Sequence, residues 1–159
     1  MKYIIIVILF SWCNGFSQNV LHNSLVGLNS FSVQINANEN LSEHGIFESQ
    51  IKNDVELKLR MAGIKVSDDY GSVGSASLGI VISSTRRTNS QTRSYALQLC
   101  VLEYMKSNRI EDPLIITWMA STGGYQSDSS NIEYSNDIRT YIKDLLDYFI
   151  NDYLRDNPK

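Results

Sequence analysis

The chain has 159 residues with a formal net charge of −3, 43% hydrophobic residues and only two cysteines. A mildly acidic overall balance excludes a general nucleic-acid binder, which needs a concentrated basic face. Two cysteines, one of them at position 13, exclude a disulfide-stapled scaffold, so stability has to come from packing.

Met1 and Lys2 open the chain, an apolar run follows from Tyr3 to Phe10, and a small, polar stretch extends to Gln18. Charged, apolar and cleavable segments in that order predict an export signal over 1–17, cut after Ser17. The apolar run is too short to cross a bilayer, which takes about 20 residues. Nothing later approaches that length, so no membrane span is predicted. Cys13 raises lipid attachment as an alternative, but the bulky Trp12 before it fits that poorly. The expected mature protein is periplasmic or secreted, with a leader at 18–29 and a single domain at 30–159.

Phe31, Val33, Ile35 and Ala37 alternate with polar residues, the period of a half-buried strand. A helix is expected from Ile46 to Met61, with Phe47, Ile51, Val55 and Leu59 as its apolar stripe. Glu48–Lys52, Asp54–Lys58 and Glu56–Arg60 are spaced for ion pairs on its outer face. Gly63 suits the position just past a helix end, and Ile64–Val66 reads as a short extended piece. After a loop at 68–75, Ala76, Leu78, Ile80 and Ile82 alternate as a further strand. Ser83–Arg93 is polar and basic and reads as a hairpin loop. The strand from Tyr95 to Met105 is apolar on both faces around Cys100 and Leu102, which predicts an interior place in the sheet. Leu114–Met119 is a strand, and Ala120–Tyr134 reads as a long loop. A final helix is expected from Ser135 or Asn136 as N-cap, with Ile138, Ile142, Leu145, Phe149 and Tyr153 as its stripe. The order β-α-β-β-β(-β)-α predicts an α+β fold: a two-layer α/β sandwich with a mixed sheet, both helices on one face. Val55 and Phe149 should share its core.

The helix end Val55–Ile64, with its Ala62-Gly63-Ile64 step into a strand, pairs with the closing helix Leu145–Leu154 and Asn157-Pro158. Behind an export signal, this pairing resembles a group of small exported bacterial proteins of unknown function. The layout is also similar to the N-terminal domain of TolB. The resemblance implies a fold and a compartment, and no catalytic residue comes with it.

No catalytic, cofactor-binding or metal-ligating set stands out. His22 and His44 lack partners at ligand spacing. Ser49 and Lys52 have the spacing of some acyl-transfer serines but sit on the charged helix face. Gly71–Gly74 precedes a strand, whereas a phosphate loop must open a helix. Gly123-Gly124 is too short for such a loop. Asp128 with Ser127, Ser129 and Asn131 is short of acids for a calcium loop. Cys100, in an apolar pattern, reads as a buried small hydrophobe. The distinctive feature is Arg86, Arg87 and Arg93, with no acid between Ser83 and Arg93. Arginine forks suit phosphate and carboxylate groups, so this expected loop tip is either solvated surface or a contact for an anionic partner, a ligand or another envelope protein. The expected function is a non-catalytic binding or envelope-associated protein, with no cofactor. The alternative is a small hydrolase with a site formed by 83–93 and 120–134.

Overall fold

A computed structural model describes residues 24–37, 41–68, 75–86, 92–104, 114–127 and 130–158, without the side chains of residues 43, 44 and 86. The elements are β1 (Ser30–Ala37), a 3₁₀ turn (Leu41–His44), α1 (Glu48–Met61), β2 (Lys65–Val66), β3 (Ser75–Arg86), β4 (Arg93–Tyr104), β5 (Leu114–Gln126) and α2 (Asn131–Asp156). The strands form one five-stranded sheet in the order β2-β1-β3-β4-β5. β1 runs parallel to both β2 and β3, and β3, β4 and β5 form an antiparallel meander. This is the expected α+β sandwich, and β4 holds the interior position that its two-sided apolar pattern requires.

The period-two pattern places Phe31 and Val33, then Leu78, Ile80 and Ile82, then Leu97, Leu99 and Val101 on the helix-facing side, all buried. Ile51, Val55 and Leu59 of α1, and Ile138, Ile142, Leu145 and Phe149 of α2, close over them in one core. α1 ends as its sequence dictates. Gly63 has φ +79°, its N–H donates to Arg60 O at 3.0 Å, and Ile64 N–H reaches Leu59 O at 2.9 Å. Both bonds of the glycine-terminated cap are therefore made, with Leu59 and Ile64 buried beneath them.

Four expected details change. Strand pairing carries β3 to Arg86 and β5 to Gln126, so most of the expected loops at 83–93 and 120–134 are strand or helix. α2 starts four residues before Ser135. Its N-cap is Ser130, whose hydroxyl accepts from Glu133 N–H while the Glu133 carboxylate accepts from Ser130 N–H, a reciprocal capping box. Ser135 is instead a buried position inside the first turns, donating to Gly45 O at 3.1 Å. On α1, Glu56–Arg60 forms at 2.9 Å, but Asp54 and Lys58 turn to the other helix, to Arg139 at 2.5 Å and Asp147 at 2.6 Å. Phe47 leaves the expected stripe for the exposed N-cap position, and Ile46 is buried in its place.

The segment before β1 is part of the core. Leu25 and Leu28 are buried, and the end of α2 ties them down. Asn157 accepts from Gly27 N–H at 2.9 Å and donates to Leu25 O at 2.8 Å, and Tyr153 OH donates to Leu28 O at 2.9 Å.

Candidate functional site

The polar end of the sandwich lies where the β3–β4 hairpin and the end of β5 meet the first turns of α2. Register sets Arg93 directly opposite Arg86 on one side and Gln126 on the other. Directly opposed residues share a sheet face, and for Arg93 and Gln126 it is the face that α2 covers. Arg93 is only 6% exposed. Its guanidinium carbon stands 5.0 Å from the centre of the Tyr134 ring, a cation over an aromatic face. Its Nη2 donates to Asn131 Oδ1 at 2.5 Å, whereas its Nε and Nη1 are buried without an acceptor among the described residues. Tyr134 is wholly buried and shares a 2.7 Å hydrogen bond with Ser84 Oγ. Gln126 donates to Asp137, leaving its own buried carbonyl oxygen unpartnered. The capping box holds Glu133 below the ordinary glutamate range, because its carboxylate accepts from the Ser130 backbone and hydroxyl.

The arginine trio is thus divided. Arg93 is built into the sandwich and is not free at a loop tip. Arg86 has only its backbone described, in register with Arg93. Arg87 lies outside the described residues. The signal in the sequence for the burial of Arg93 is its place in the alternation Arg93, Tyr95, Leu97, Leu99, which points it to the helix side.

The other sequence candidates are dispersed. His22, Gly71–Gly74, Asp128 and Ser129 lie outside the described residues, and His44 is described by its backbone in the 3₁₀ turn. Ser49 is exposed on α1, and Lys52 pairs with Glu56 at 3.8 Å. Gly123 and Gly124 belong to β5, where a side chain would strike Tyr95: a Cβ would lie 3.0 Å from Tyr95 O at Gly123 and 3.0 Å from the Tyr95 hydroxyl at Gly124. Gly124 makes room for the Tyr95 ring, which stacks on Tyr141 at 5.1 Å, and Gly123 for the backbone at Tyr95 and Ala96. Cys100 is buried with its thiol on Gly79 O at 3.6 Å, and burial raises its pKa. Among the described residues, no group of three or more His, Cys, Asp or Glu is placed to hold a metal. No described helix is long and apolar enough to cross a membrane.

Two shallow depressions mark the helix side. One, of about 400 Å³, runs between α1 and α2 over Ile51, Val55, Ile142 and Leu146, and the Asp54–Arg139 pair spans it. The other, of about 460 Å³, lies between α2 and β5 and is lined by Thr122, Tyr141, Asp144, Asp147 and Tyr148.

No protein-family model matches the chain, and no curated protein is similar to it. Solved structures with a similar layout include a minor lipoprotein from Acinetobacter baumannii, at 14% identity and TM-score 0.34 over 78% of this chain and 91% of that one. A hypothetical protein from Chlamydia trachomatis matches at 9% identity and TM-score 0.37, over 80% and 94% of the two chains. Rare lipoprotein B from Shewanella oneidensis matches at 10% identity and TM-score 0.28, over 78% and 91%. These are small bacterial proteins of similar extent. Similarity at this level assigns neither family nor role to the chain, and it does not show the layout shared with TolB.

Proposed function

We propose that this is an exported, non-catalytic binding protein that meets an anionic group of its partner at the root of the β3–β4 hairpin, through Arg86, Arg87 and Arg93. The observation that carries the reading is the Arg93 guanidinium. It is held by Tyr134 and Asn131, yet two of its nitrogens, Nε and Nη1, have no acceptor among the described residues. A buried cation with unused donors is destabilising, and an approaching carboxylate or phosphate would supply what the fold leaves open. Arg86, directly opposite Arg93, and its sequence neighbour Arg87 would add to the attraction.

The order of charged, apolar and small residues at 1–17 supports export. The intact mass of the protein recovered from its host should correspond to residues 18–159. A mass beginning at a lipid-modified Cys13 would replace export of a free protein with membrane anchoring. The binding reading is tested by affinity capture from envelope extract with wild type and an Arg86→Ala/Arg87→Ala variant. Partner recovery should fall in the variant at low salt, and the gap should shrink as salt screens the charges. Equal recovery at low salt would remove the hairpin as the contact.

A further inference from the structure

The two edges of the sheet are built in opposite ways. β2 closes one edge with two residues, one of them Lys65, a short and charged edge that discourages further pairing. β5 forms the other edge with thirteen residues, Leu114–Gln126, and carries neither a charge nor a proline. Among the described residues, no backbone hydrogen bond leaves its outer side. The register with β4 slips only near Leu102 and is unbroken from Trp118 to Gln126.

We infer that β5 is a homodimerisation edge, along which a second copy of this chain pairs its own residues 118–126 antiparallel to the first. The strand is self-complementary in that register. With Thr122 on the two-fold axis, Thr122 faces its own copy, Ser121 faces Gly123, Ala120 faces Gly124, and Met119 faces Tyr125. These pairs oppose no like charges, and the small residues at the centre let the two backbones approach closely. Thr–Thr and aromatic cross-strand pairs are stabilising. Tyr125 is 80% exposed on the sheet face away from the helices. None of the described residues covers it, and pairing with Met119 of a second copy would do so. The closed two-fold contact uses up both edges and stops at two chains. The inference stands apart from the hairpin reading: an Arg86→Ala/Arg87→Ala variant should dimerise like wild type.

The test is sedimentation velocity of the full chain, expressed with its export signal and recovered after processing. Wild type should show a monomer–dimer equilibrium that holds or tightens as salt rises, since Asp144 flanks Thr122 in the depression beside the axis and would meet its own copy there. A Ser121→Lys/Tyr125→Lys variant changes only exposed side chains. It should keep its circular dichroism and melting temperature while its dimer Kd rises by at least about tenfold, a loss of about 1.4 kcal/mol. Register is read by oxidation of a Thr122→Cys variant, which should cross-link to itself faster than Gln50→Cys on the exposed face of α1. A monomer at all concentrations without Thr122→Cys cross-linking overturns the inference. So does a dimer indifferent to the lysine variant, or a monomer whose β5 pairs with a strand of a different protein.

Discussion

The two ends of α2 are packed on different principles. At its C-terminal end Phe149 lies edge-on to Phe31 at 5.2 Å and to Trp118 at 5.3 Å, and Tyr153 joins Phe31 at 5.5 Å. The polar groups around this aromatic cluster are tied in: Trp118 Nε1 donates to Asp152 at 2.9 Å, and Asn157 and Tyr153 hold the backbone at 25–28. At the N-terminal end the same helix covers a buried arginine with unused donors and a glutamine with an unused carbonyl. The contrast separates a part of the molecule that holds it together from a part that leaves bonding capacity open. Predicted changes at the first end are large, and at the second small.

The largest effect is expected at Phe149, which is fully buried in the aromatic cluster. Phe149→Ala should destabilise by roughly 3–5 kcal/mol, a large share of the 5–15 kcal/mol typical of a domain, about. Chemical denaturation measures it, and a loss below about 1 kcal/mol would mean that the cluster does not anchor the helix. Next comes Asn157, whose side chain also donates to Tyr153 O at 3.1 Å and so bridges helix end and leader. Asn157→Ala should cost about 1–3 kcal/mol, with amide exchange rising at Gly27. Protection unchanged there would show the leader held by Leu25 and Leu28 alone.

How legible each end was in the sequence follows the same division. The aromatic end was readable because burial imposes a period: Ile138, Ile142, Leu145 and Phe149 at three- and four-residue steps name the face, and alternation in β1 names its partner. The polar end was misread as two loops because Ser83–Arg93 and Ala120–Tyr134 are rich in Gly, Ser, Thr and Asn. Pairing in a sheet overrides those preferences when a neighbouring strand offers a ladder. Gly124 in β5 reflects the bulk of Tyr95 one strand away, a contact invisible in local sequence. Ser130-x-x-Glu133 was present as a capping signature but lay inside the stretch read as loop. The burial of Arg93 needed the alternation of β4 to be carried two residues past Tyr95, across a charge.

A smaller effect is expected at that cap. Ser130→Ala should cost about 0.5–2 kcal/mol and fray the turn that carries Asn131 and Tyr134. The Glu133 arm adds a pH signature of defined sign. Its folded pKa is lowered, so its contribution is present above the ordinary value of 4.5 and is lost as pH falls through the folded value. Glu133→Gln should therefore flatten the acid limb of the stability profile below about pH 4.5 and change little near neutrality. An acid limb identical in wild type and variant would remove the capping box as its source.

The smallest effect on stability, and the sharpest test of the contrast, is expected at Arg93. Its burial equals that of many core residues, so a reading based on burial alone predicts a large loss on replacement. The chemistry predicts otherwise for Arg93→Met. Methionine keeps an unbranched stem against Tyr134 and removes a desolvated charge with two unaccepted donors, a change that is often neutral or stabilising. Against this stand the cation–aromatic contact, worth about 0.5–2 kcal/mol, and one hydrogen bond to Asn131, an exposed residue that water can satisfy instead. The opposing contributions are of similar size, so denaturation should place Arg93→Met within about 1 kcal/mol of wild type. Arg93→Ala should be worse than Arg93→Met because it adds a cavity. A loss above about 3 kcal/mol for Arg93→Met, on the scale of Phe149→Ala, would show that the arginine is a structural member like the aromatic cluster and that its free donors carry no function. A near-neutral Arg93→Met that also fails to capture the partner would place stability and binding at opposite ends of one helix.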